Sequence, residues 1–300
     1  MKTIKSENLK RGDKIGIISP SRNTLENNKD IQKSIAILKG HGFNIVLGGC
    51  FLKKYGVSAG TKTERAKEIN SMFKDDKIKA ILCSIGGDSA NQILDLIDYK
   101  LIAKNPKPIL GYSDNTHLIL AINSKTGLTT YHGPNLSNFS KTDKQSQDQL
   151  IDTLTQEKTI DLSSEYKIIK PGKASGALIG GNLFVINALS KTEFSPDYKN
   201  KILFWEEIDE NLNAVEYQLH QLHLSGVLEK ISGIIIGHIH KTKQSESTPV
   251  KQIILDLTKK YKYPIIKADC FGHFSKRFLT FPIGGKALID TKQNKLLIEK

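Results

Sequence analysis

An α/β protein of two domains is the fold class this sequence predicts, and three observations predict it. Short apolar runs alternate with helical periodicity along most of the chain. The runs are too apolar to leave one face in water, which implies a parallel sheet covered by helices on both sides. The chain has 300 residues, enough for two ordinary domains that each bury a core. Hydrophobic residues make up 38% and charged residues 25%, a balance that predicts folding throughout.

Taken in order, residues 13–19 (DKIGIIS) form the first strand, stopped by Pro20. A helical pattern over about 28–38 follows and breaks at Gly40. Residues 43–47 are the next strand candidate, and Thr61 with Glu64 spells a capping box for a helix that carries Ala66, Ile69 and Phe73 on one face. Residues 78–84 (IKAILCS) read as a fully buried strand, followed by a Gly86-Gly87 turn and a helix. Residues 108–112 are a further short strand, and 114–124 a helix that is apolar at Leu118, Ile119 and Ile122. Around 160–176 the chain turns polar, extended and Lys-rich, with Pro171-Gly172. The boundary is placed there: one domain over 1–160, a linker over 161–175, and a smaller α/β domain over 176–300 with strands at 202–205, 231–236 and 264–268.

Lys and Arg total 44 against 31 Asp and Glu, for a net charge of +13, which raises the question of an anionic partner. The charge is scattered Lys, with no basic helix, no aromatic residues interleaved with Arg and no zinc-finger spacing, so no nucleic-acid partner is expected. The polar start over 1–11 offers no signal peptide and no stretch apolar enough for a membrane, so a cytoplasmic protein is expected. Cys50, Cys83 and Cys270 lack C-x-x-C spacing and are expected as buried thiols.

Four places can carry chemistry. Gly111-Tyr112-Ser113-Asp114 lies where a buried strand gives way to a helix, a turn that pushes Ser113 out at the strand's carboxyl end. Ser113 there is a candidate nucleophile or simply a helix N-cap, and position 115 is Asn rather than the second Gly of a nucleophile elbow. The backbone N–H of Asp114 is free to face an oxyanion. Ser84-Ile85-Gly86-Gly87-Asp88 reaches the same sheet edge, as an oxyanion-hole donor, a phosphate cradle or an ordinary turn. Glu206 and Glu207 end an apolar strand, and alternation predicts that one of them enters a cleft. His273 stands in a loop, where a lone His is either a base or a surface residue. His220 with His223, and His238 with His240, lack the adjacent general-base Glu of zinc hydrolases, so no metal site is expected.

Together, GYSD at 111–114, GGNL at 180–183, ILFWEE at 202–207, FGH at 271–273 and FPIGG at 281–285 resemble the LD-carboxypeptidase family, which includes the microcin C immunity peptidases. The resemblance implies an N-terminal domain similar to class I glutamine amidotransferases, and a second domain contributing Glu and His. It implies Ser113 as nucleophile, His273 as base, Glu206 orienting the base, and the N–H groups of Gly87 and Asp114 as the oxyanion hole. It further implies an acyl-enzyme route without metal or cofactor, a homodimer, and a short peptide substrate such as a cytoplasmic murein tetrapeptide cleaved before its C-terminal D-Ala. Removing a terminal residue calls for donors to its free carboxylate, and Lys276 or Arg277 near His273 is the candidate, either of which can equally be a solvated surface charge; Gly86 is a further candidate for substrate binding. Ile85-Gly86-Gly87-Asp88-Ser89 with Asn91-Gln92, and FGHF with TFPIGG, are more similar to the immunity branch than to the wall-trimming branch. An immunity-type peptidase acting on a peptide or aminoacyl-adenylate toxin, and a catalytically silent peptide-binding protein, are the alternatives.

Overall fold

The structure is a computed structural model that describes residues 3–24, 28–209, 212–241 and 250–300. The first two residues of the polar start therefore lie outside the described residues. The chain divides into two units, Met1–Lys158 with Phe278–Gly284, and Thr159–Arg277 with Gly285–Lys300.

In the first unit the strands are β1 (Lys14–Ile18), β2 (Asn44–Leu47), β3 (Ile78–Cys83), β4 (Ile109–Gly111) and β5 (Thr130–His132). Helices α1 (Lys29–Gly40), α2 (Lys62–Lys74), α3 (Tyr99–Lys104), α4 (Thr116–Thr126), α5 (Leu136–Phe139) and α6 (Lys144–Thr155) alternate with or follow them. The local signals explain the boundaries. Asn28 caps α1 by accepting from the N–H groups of Asp30 and Ile31. Thr61 and Glu64 make the reciprocal capping box of α2. Ala90–Leu96, expected as a helix after the glycine turn, is a 3-10 helix.

These five strands pair in parallel in the order β5-β4-β3-β1-β2. Parallel pairing puts the carboxyl ends of β1, β3, β4 and β5 on one edge, which is where the candidate loops begin. Ile15, Ile17, Ala80, Leu82, Leu110 and Tyr131 join Leu38, Phe139 and Leu150 in the core, all buried.

The second unit holds β6 (Ile160–Asp161), β7 (Lys167–Lys170), β8 (Lys173–Asn182), β9 (Ile202–Asp209), β10 (Gly233–Lys241) and β11 (Ile265–Lys267), with α7 (Leu183–Leu189), α8 (Leu212–Leu224), α9 (Val227–Lys230) and α10 (Val250–Leu257). After them come β12 (Phe281–Ile283), β13 (Lys286–Asp290) and β14 (Lys295–Glu299). The eight-stranded sheet runs β6-β14-β13-β8-β9-β10-β11-β7, parallel from β8 to β11 and antiparallel on both flanks.

Two features differ from the sequence expectation. Residues 161–175, read there as a linker, carry the end of β6, all of β7 and the start of β8. The reason is that β6 and β7 are edge strands, none of whose residues is buried and whose ends carry Asp161, Lys167 and Lys170. Residues 278–284 return to the first unit, where β12 pairs antiparallel with β5 and completes a six-stranded sheet.

All three cysteines are free and buried. Among the described residues no helix is long and apolar enough to cross a membrane.

Candidate active site

Ser113 sits immediately after β4, at the start of a 3-10 turn over Ser113–Asn115 that leads into α4. Its φ is +61°, in the left-handed region that a non-glycine residue enters at a cost of about 1–3 kcal/mol. It is the first residue of that turn, whose cap position is Tyr112. Asn115 holds the turn from below. Its Nδ2 donates to the carbonyl of Ile85 at 3.0 Å and to Asn135 Oδ1 at 3.1 Å, while Asn135 Oδ1 also accepts the Tyr112 N–H at 3.1 Å. The Asn at position 115 thus ties together the ends of β3, β4 and β5, a role a Gly there lacks.

Gly86 lies against this turn: a methyl group on it would come within 3.1 Å of both Cβ and Oγ of Ser113. Gly87 has φ +154° and would press a side chain onto the backbone and side chain of Arg22. Gly87 is a position only glycine fits, while a Cβ at Gly86 would crowd Ser113, so the close passage of this loop favours the missing side chains.

The second unit holds the acid and the histidine. Glu206, in β9, is fully buried, and Oε2 accepts from His273 Nδ1 at 2.6 Å and from the His273 backbone N–H at 3.0 Å. Gly272, at φ +118°, makes the approach possible: a Cβ there would stand 2.8 Å from Glu206 Cβ. Burial alone would lower the His273 pKa, but the charge and hydrogen bond of Glu206, together with the charge of Glu207, raise it. With Nδ1 committed to the carboxylate, Nε2 is the nitrogen left to exchange a proton.

Glu207 is also buried, although its neighbour in the strand is too. Its Oε1 accepts from Asn182 Nδ2 and the Ile208 N–H, and its Oε2 from the Phe184 N–H, at 2.8–2.9 Å. Burial and the adjacent Glu206 charge push its pKa up to about 7. Asn182 Nδ2 also reaches Glu206 Oε1 at 3.3 Å, so one amide spans both acids.

Among the carboxylate-binding candidates, Lys276 is exposed, whereas Arg277 pairs with Glu165 through Nε and Nη2, both at 2.6 Å. The structure thus brings Gly86 and Asp114 beside Ser113 in the first unit, and Glu206 beside His273 in the second. The sequence reading missed Asn115, Asn135 and Asn182. Their only signal was a motif, GGNL around Asn182 and GYSD beside Asn115, since side-chain bonds between distant loops leave no periodicity.

Known proteins match this chain over nearly its whole length. The LD-carboxypeptidase N-terminal domain model matches residues 15–133, and the C-terminal domain model residues 175–289. A Bacillus subtilis (strain 168) protein named "Probable murein peptide carboxypeptidase" is 34% identical over 304 residues, covering 98% of this chain and 94% of its own. The Escherichia coli microcin C7 self-immunity protein MccF is 30% identical over 322 residues, covering 96% of this chain and 93% of its own. The crystal structure of an MccF-like protein from Bacillus anthracis str. Ames superposes with a TM-score of 0.90 at 31% identity, covering 99% of both chains. Both domain models in order, and relatives of this similarity along the whole length, show that the chain belongs to the LD-carboxypeptidase family of serine peptidases.

Proposed function

We propose that this carboxypeptidase hydrolyses the LD bond before the C-terminal D-Ala of a murein tetrapeptide, with Ser113 as nucleophile, His273 as base and Glu206 orienting the base. The observation that carries the reading is the 2.6 Å bond from His273 Nδ1 to a fully buried carboxylate, which fixes the tautomer and leaves Nε2 basic. His273 takes the Ser113 proton as Oγ attacks the scissile carbonyl. The resulting oxyanion is stabilised by the N–H groups of Gly87 and Asp114, and the tetrahedral intermediate collapses to an acyl-enzyme as His273 protonates the leaving D-Ala amine. Water, activated by the same imidazole, then releases the shortened peptide.

In this reading Lys276, with Arg277 next to it in sequence, receives the terminal carboxylate, and Gly86 contributes to substrate binding. Exposure of the Lys276 ammonium supports it, while the Glu165 partner of Arg277 makes that residue the weaker donor. The family resemblance supports action in the cytoplasm during murein recycling, as a homodimer.

The test is mass spectrometry of a murein tetrapeptide incubated with the wild-type protein and with Ser113→Ala. Release of D-Ala by the wild type alone is the expected result. Equal release by both would reduce Ser113 to a helix-start residue. Similarity to MccF favours one second reading, cleavage of an aminoacyl sulfamoyl-adenylate, and turnover of that compound but not of tetrapeptide would select it.

A further inference from the structure

The first unit buries an acid and a base that the reaction scheme leaves unused. Asp114 is 7% exposed and Arg65 1%. Oδ2 of Asp114 accepts the N–H groups of Ser89 and Ala90, each at 2.8 Å, and the hydroxyl of Ser21. Oδ1 lies 3.1 Å from His117 Nδ1. Arg65, on α2, donates from Nη1 to the carbonyls of Pro20 and of Ser89, the latter at 2.9 Å, and from Nη2 to Gln92 Oε1 at 2.8 Å. The loops leaving β1, β3 and β4 are therefore fastened by one carboxylate and one guanidinium.

An ordinary explanation would be helix capping, but the 3-10 helix over Ala90–Leu96 has its own capping residue in place. Ser89 occupies that position and makes no side-chain cap bond. Its role is taken from 24 and 25 residues away in sequence by the residue next to Ser113. A buried carboxylate is costly to desolvate, so one that accepts two successive N–H groups of a remote loop specifies geometry more than it adds stability. The loop so held is the one that carries Gly86 and Gly87.

We propose that the Asp114 carboxylate, backed by Arg65, is a positioning group that fixes the Gly86-Gly87 backbone against Ser113, so that the Gly87 N–H stands where the oxyanion forms. This rests on the assignment of Ser113 as nucleophile. Burial would by itself raise the Asp114 pKa, but the bonds from His117, Ser21 and Ala90 hold it below the ordinary range, so the group stays charged at neutral pH.

The experiment measures kcat, KM and thermal midpoint on tetrapeptide for Asp114→Ala, Asp114→Asn, Arg65→Lys and Ser113→Ala. Loss of a placed oxyanion donor costs about 10²- to 10³-fold in kcat. Asp114→Ala should show a loss of that order with KM within about threefold of wild type, as should its affinity for a peptidyl boronic acid that forms the tetrahedral adduct. Asp114→Asn, which keeps an oxygen acceptor toward Ser89 and Ala90, should restore kcat to within about tenfold of wild type. A kcat unchanged in Asp114→Ala, a change in KM alone, or no restoration by Asn would overturn the role. Should Asp114→Ala not fold, Arg65→Lys decides: kcat lowered at unchanged KM supports the proposal, and kcat unchanged overturns it. Wild-type activity in Ser113→Ala would instead remove the underlying assignment, leaving the two failures distinguishable.

Discussion

At the scale of single residues, Glu206 and Glu207 show how two adjacent carboxylates acquire different work. Glu206 binds His273, whereas Glu207 is saturated by Asn182 and two backbone N–H groups. His273 must be neutral to accept a proton, so kcat/KM falls as pH falls through its pKa. Because that pKa is raised above the ordinary 6.5, the acid limb of the profile should lie above pH 6.5. Glu206→Gln should lower kcat by about 10³- to 10⁴-fold, the cost of losing the group that sets the tautomer. Glu207→Gln should retain kcat within about tenfold and move the acid limb to lower pH, because one of the charges raising the His273 pKa is gone. That shift should be small, because Glu207 itself takes up a proton as pH falls through about 7, so part of its charge is already lost there. A pH profile for each variant checks the assignment, and equal losses in the two would contradict it.

At the scale of elements, the legible parts of the sequence were those with a local signal. The capping box of α2, the buried run of β3 and the strand-to-helix turn at Ser113 are each encoded within a few residues, and the structure has them there. The strands β6 and β7 were not legible, because an edge strand with Lys at both ends of β7 has the composition of a linker. Neither was the clamp on the 84–90 loop, whose partners lie 24 to 93 residues apart in sequence. The loop carrying His273 illustrates the same point, since Gly272 looks unremarkable in sequence yet is required at φ +118° against Glu206. Gly272→Ala should destabilise this loop by about 1–3 kcal/mol and lower kcat through loss of the His273 to Glu206 bond. Thermal unfolding and kcat measured together test it, and a variant with wild-type values of both would mean that the loop adapts freely.

At the scale of the whole molecule, chain connectivity departs from the division into an N-terminal and a C-terminal half. The first unit takes its sixth strand from residues 281–283, after the second unit's β11. Phe278, Leu279, Phe281 and Ile283 are each at most 2% exposed. Phe278 packs edge-on against Tyr112 with ring centroids 4.8 Å apart, directly beside the Ser113 turn. Gln149 of α6 holds the backbone of Thr280 from both sides, at 2.8 and 3.0 Å. Burial of a large apolar side chain is worth about 1.5–3 kcal/mol, so four of them carry a share comparable to the net stability of an ordinary domain. A fragment over 1–160 lacks this strand and leaves the edge of β5 unpaired. It should therefore lose a cooperative thermal transition and self-associate through that edge, whereas adding residues 278–284 back through a flexible linker should restore a single sharp transition. Calorimetry of the two fragments tests this, and a cooperative, monomeric 1–160 fragment would show that β12 is dispensable to the unit that carries Ser113.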